Sequence, residues 1–280
     1  MRLALLLALA APIVALPAAP TAAAEAFAPT RFTVEVTGTG PDVILIPGLT
    51  ASKNVWRPTV AAVPGYRYHL IQVSGFAGAP ARGNAQGDVV APLADEIARY
   101  IRANHLGRPA IVGHSMGGTL ALMLAERHPD VAGKVMVVDM LPQPAELLGA
   151  SPSGIRGFAD TLRDLSGTPL GKSLIESAIR VFGNDGIDNL KSDPDVVARA
   201  THELALTDLT PELPRVIAPL TILYASPEPA LGPAADGVYR EAYAGDPAAH
   251  LVRIDGSGHM IMADQPRRFE EELRKFLASN

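Results

Sequence analysis

Residues 113–118 read Gly-His-Ser-Met-Gly-Gly, at the point where the apolar run "RPAIVG" gives way to a helical pattern over 116–128. A serine between two glycines at such a junction has one specific chemical use. A tight strand-to-helix turn lifts the hydroxyl clear of its neighbours, where it can attack a carbonyl carbon. The glycines leave room that a Cβ would fill, and the serine is expected in a strained backbone conformation. The N-terminus of the following helix adds partial positive charge where an acyl oxygen would become negative. A hydroxyl alone is a poor nucleophile, so a base must take its proton and a third group must orient that base. Ser115 is therefore nominated as a nucleophile.

The elements around it alternate. "RFTVEVTG" (31–38) alternates apolar and polar residues, as a half-buried strand does, whereas "DVILIPG" (42–48) is a continuous apolar run suited to a strand buried on both faces. "YRYHLIQVSG" (66–75) and "GKVMVVDM" (133–140) read as further strands. The stretch 87–107 has helical spacing, with Val90, Leu93, Ile97 and Ile101 on one face and Gly107 as its stop. From Leu141 to Pro214 the pattern turns helical throughout. Strands return at 218–226 and 249–259, with helices at 235–245 and 265–279. Strands alternating with helices predict an α/β domain: a mostly parallel central sheet with helices on both faces. Trp56 is expected to pack the first crossover helix.

On "GHSMGG", the earlier "IPGL" and the late "GSGHMIMADQP", the chain resembles the α/β-hydrolase superfamily, with an inserted helical cap, across most of residues 31–279. The resemblance implies a core in two parts, 27–140 and 215–280, interrupted by a cap at 141–214. It implies a serine hydrolase that cleaves a carboxylic ester or related acyl bond through an acyl-enzyme on Ser115. C–C, lactone or amide hydrolysis and perhydrolysis use the same triad, and a non-catalytic binding scaffold is the alternative from another class. The resemblance places the base at His259, in the loop after the last strand, and the oxyanion donors at the backbone N–H groups of Leu49 and Met116. His114 adjoins the serine, but an elbow turns neighbouring side chains apart.

The acid is usually an Asp after the strand that follows the cap. No Asp stands in the first turn after "TILYAS"; Glu228 is nearest to that place and is ranked first. Asp139, at the end of "VMVVDM", is the alternative. Asp236 lies too far into the next helix, and Asp255 reads as a turn former with Gly256.

The 280 residues suit one large domain. A net charge of −5 with no Lys/Arg cluster excludes nucleic acid as the expected partner, which leaves a small ester-like molecule. No metal-ligand spacing, Walker motif or strand-borne dinucleotide motif occurs, so no cofactor or metal is implied. The first 26 residues, with Arg2, an apolar run and Ala-x-Ala triplets, read as a signal peptide cleaved after Ala24 or Ala26. That predicts a periplasmic or secreted protein without a stable membrane span; an uncleaved anchor is the other reading. With no Cys, neither a lipid anchor nor a disulfide is available.

Overall fold

The computed structural model describes residues 27–148 and 189–279, with Gly157, Asp160, Thr161, Asp164 and Thr168 between them. The expected signal peptide, 1–26, and most of the expected cap lie outside the described residues. Among the described residues of 141–214 there is no strand.

Seven strands form one sheet: β1 (Phe32–Gly38), β2 (Asp42–Ile46), β3 (Arg67–Val73), β4 (Ala110–His114), β5 (Lys134–Val138), β6 (Leu220–Ser226) and β7 (His250–Asp255). Their order is β1-β3-β2-β4-β5-β6-β7. Every neighbouring pair is parallel except β1 and β3, which run antiparallel with Phe32 opposite Val73. Burial follows the sequence patterns. β2, β4 and β5 lie inside the sheet and read as continuous apolar runs, while the edge strand β1 alternates.

Helices cover both faces, as an α/β-hydrolase fold requires. On one face α2 (Val90–Ala103), α3 (Met116–Arg127) and α5 (Gly232–Ala242) pack with Ile44, Ile46, Ile111, Val135, Val137 and Ile222. α4 (Pro194–Leu206) joins that core from the returning end of the expected cap. On the other face α1 (Arg57–Ala62) and α6 (Pro266–Ala278) pack with Val43, Leu45, Val112, Met136, Val138 and Leu223. Trp56 is fully buried there and lies 6.1 Å from Phe269 of α6, so it is a core residue.

Two polar contacts close helix ends across the fold. The Glu203 carboxylate of α4 accepts from the amides of Val89, Val90 and Ala91 at 2.7–2.8 Å, which caps α2 where no local side chain does so. Lys134, at the start of β5, donates from Nζ to the carbonyls of Phe276, Leu277 and Ser279 and so finishes α6 with a positive charge.

Glu126 of α3 is a buried acid without such a contact. Neither of its carboxylate oxygens has a partner, and burial pushes its pKa from 4.5 up to about 8. An acid whose folded pKa is raised binds its proton more tightly in the native state. Its stabilising protonation is complete below pH 4.5 and is lost as pH climbs through about 8. Glu126→Gln should therefore gain on the wild type as pH rises across that window, by at most about 1.4 kcal/mol per pH unit. Melting curves at several pH values check it; parallel curves would refute it.

Candidate active site

The chain leaves β4 through Ser115, whose φ of 54° and ψ of −123° lie where a side-chain-bearing residue is strained. Packing enforces that conformation. A Cβ on Gly113 would stand 2.0 Å from the Gly117 carbonyl oxygen, and one on Gly117 would stand 2.3 Å from that of Ile46. The Ser115 amide donates to the Val138 carbonyl at 3.0 Å. Its own carbonyl accepts from Gly118 and Thr119 to open α3. Met116 thus provides the first amide of α3, one of the helix's unpaired N-terminal donors.

Beside the elbow lies the turn Gly48–Ala51, closed by Ala51 N donating to Gly48 O, with Thr50 at φ 63°. A Cβ on Gly48 would meet Ser115 Cβ at 3.1 Å, so this loop rests on the serine. The structure thereby brings Leu49 and Met116 to the two sides of Ser115.

His259 lies past the end of β7, in the expected loop, and its Nδ1 meets Asp139 Oδ2 at 2.7 Å. Asp139 is buried and leaves β5 at φ 50°, with its amide donating to the Leu223 carbonyl on β6. Its other oxygen, Oδ1, accepts from Ala225 N at 2.8 Å and from the Tyr239 hydroxyl at 3.0 Å. Both oxygens of that carboxylate are thus engaged, and an Nδ1–H held on Oδ2 leaves Nε2 of His259 as the nitrogen able to take a proton.

Glu228, ranked first for the acid, is not brought to His259. β6 ends at Ser226 and the chain turns away, so Glu228 is exposed at the start of a single turn over Pro229–Leu231 and its side chain caps nothing. This corrects the expectation. Asp139 stands beside Ser115 because β4 and β5 run in register, His114 opposite Val138, so the residues after both strands emerge side by side. Asp236 instead accepts from the Tyr224 hydroxyl and Arg253, and Asp255 pairs with Arg253.

Two further residues of the site carry no local signal in the sequence. Tyr239, one helix beyond β6, holds Asp139. His114 donates from Nε2 to the His259 carbonyl at 2.9 Å, with the rings 4.7 Å apart. Burial pushes its pKa down to about 3, so it is a neutral donor that fixes the His259 backbone. Ser115 and His259 share no hydrogen bond in this structure; contacts of this kind commonly tighten when substrate binds. Among the described residues no group of three or more His, Cys, Asp or Glu is placed to hold a metal ion, and no helix is long and apolar enough to cross a membrane.

Comparison with known proteins agrees with this architecture. A family profile described as the alpha/beta hydrolase family matches residues 43–272. A pimeloyl-[acyl-carrier protein] methyl ester esterase of Vibrio cholerae serotype O1 is 26% identical over 261 residues, covering 86% of this chain and 96% of that protein. An esterase from Exiguobacterium antarcticum superposes with a TM-score of 0.67 at 21% identity, covering 89% of this chain and 96% of its own. The enol-lactonase from Burkholderia xenovorans LB400 does so with 0.64 at 19%, over the same shares. The two superpositions bear on the fold alone.

The elbow makes a graded prediction. Gly117→Ala drives a Cβ into backbone and should abolish labelling of Ser115 by a fluorophosphonate. A Cβ on Gly118 meets nothing nearer than Val137 at 3.0 Å, Met140 at 3.2 Å and the Gly113 carbonyl oxygen at 3.3 Å, so Gly118→Ala should label at a rate within about ten-fold of wild type. Equal labelling of the two variants would contradict the steric account.

Proposed function

The chain belongs to the alpha/beta hydrolase family, and on that footing we propose that it is a serine hydrolase cleaving carboxylic esters through an acyl-enzyme on Ser115. The observation that carries the reading is the buried, fully engaged Asp139 paired with His259 beside a strained serine. The esterase name of the relative similar over most of its length supports esters as the substrate class.

Ser115 Oγ attacks the ester carbonyl while Nε2 of His259 takes its proton. The imidazolium so formed is stabilised by the Asp139 carboxylate on Nδ1, and Tyr239 and Ala225 keep that carboxylate aimed. The carbonyl oxygen becomes an oxyanion held by the N–H groups of Leu49 and Met116. Collapse of the tetrahedral intermediate breaks the bond to the alcohol, which leaves with the proton from His259. A water, deprotonated by the same imidazole, then attacks the acyl-enzyme and releases the acid. Residues 1–26 complete the proposal as a leader removed on export, supported by their basic start and their small-residue end.

The test is hydrolysis of p-nitrophenyl esters from acetate to decanoate by the protein and its Ser115→Ala variant. Wild type should turn over with a chain-length optimum, and Ser115→Ala should lose about 10⁴-fold or more in kcat. Equal rates in the two would overturn the nucleophile. A wild type inert to esters and to fluorophosphonate alike would favour a binding scaffold.

A further inference from the structure

The segment that returns from the cap is pinned to the loop after β3 at several points. Asp193 N donates to the Gly75 carbonyl at 2.7 Å, and the Asp193 carboxylate caps α4 through the amides of Asp195 and Val196. Val196 packs over Gly75 so closely that a Cβ there would lie 2.8 Å from it. The buried hydroxyl of Ser192 does something different: it accepts from Ala77 N at 2.9 Å and donates to the Thr50 carbonyl at 3.3 Å.

Both partners are strained. Thr50 has φ 63° and Ala77 φ 51°, values that residues with a Cβ rarely adopt and that persist only where surrounding contacts over-determine them. Thr50 is the second central residue of the turn Gly48–Ala51, whose own hydrogen bond uses Ala51 N and, among the described residues, leaves the Leu49 N–H unspent on any backbone carbonyl. If Thr50 relaxes toward negative φ, the Leu49–Thr50 peptide flips and the turn whose backbone carries the Leu49 N–H changes type.

We infer that Ser192 is a positioning residue for the oxyanion hole: its hydroxyl ties the Leu49–Thr50 turn to the loop after β3, so that the cap's return segment sets the aim of the Leu49 N–H. The inference rests on the proposed Ser115 chemistry. A group that acts through an oxyanion donor stabilises the transition state and leaves ground-state binding alone, so its loss appears in kcat and not in KM.

The test compares Ser192→Ala, Ser192→Thr and Ser115→Ala on a p-nitrophenyl ester, with inhibition by an alkyl boronic acid, whose adduct on Ser115 places a negative oxygen in the hole. Ser192→Ala should lower kcat by about 10- to 100-fold, less than outright removal of an oxyanion donor. KM should stay within about two-fold and boronate affinity should fall by a factor similar to that in kcat. Ser192→Thr, which keeps the hydroxyl, should restore both. Where Ser192→Ala fails to fold, Ser192→Cys keeps the volume with only a weak hydrogen-bonding group and should show the same split. A Ser192 variant without the hydroxyl that keeps kcat and boronate affinity, while Ser115→Ala is dead, overturns this inference alone. A Ser115→Ala enzyme as active as wild type overturns the underlying reading, and this inference with it.

Discussion

At Gly113 and Gly117 the backbone of the elbow comes so close to itself and to Ile46 that no Cβ fits at either position. That close approach holds Ser115 at a φ and ψ it would otherwise leave, and it draws β2, β4 and the start of α3 to one point. The same end of the sheet carries the other strained residues of the site. Thr50 follows β2, Ala77 follows β3 and Asp139 follows β5, each at positive φ. A parallel sheet sends all these strands out at the same edge, so strain stored at their ends accumulates where the chemistry is proposed. The large apolar layers on both faces hold it there.

Around that geometry the charges are arranged with few choices. Asp139 is buried, a costly place for a carboxylate, and it is offset by an amide, a tyrosine hydroxyl and an imidazole N–H. Through Nδ1 that carboxylate fixes the orientation of the His259 ring for the role proposed for it. His114, fully buried and neutral, contributes no competing positive charge while it secures the His259 main chain.

Much of this was legible in the sequence because it is local. Continuous apolar runs gave away β2, β4 and β5, alternation marked the edge strand β1, and the i, i+3, i+4 spacing of Val90, Leu93, Ile97 and Ile101 marked α2. Ser115 was readable because its glycines act within two residues, and the placing of His259 came from resemblance. What was missed is non-local. Nothing near Asp139 in the chain reports its left-handed φ, the amide of Ala225 or the hydroxyl of Tyr239 a hundred residues on, and so Glu228 was ranked above it. The antiparallel pairing of β1 with β3 and the links from His114 to His259 and from Ser192 to Thr50 likewise depend on partners that no short window contains.

In the proposed chemistry Asp139, bonded to the Ala225 amide of β6, orients His259 as the base. The most direct measurement is kcat for ester hydrolysis by Asp139→Asn beside Glu228→Gln. Asp139→Asn should lose about 10⁴-fold, since an amide that keeps the shape holds the imidazole in the wrong tautomer. Glu228→Gln should be near-normal. A near-normal Asp139→Asn with a crippled Glu228→Gln would contradict that role for Asp139.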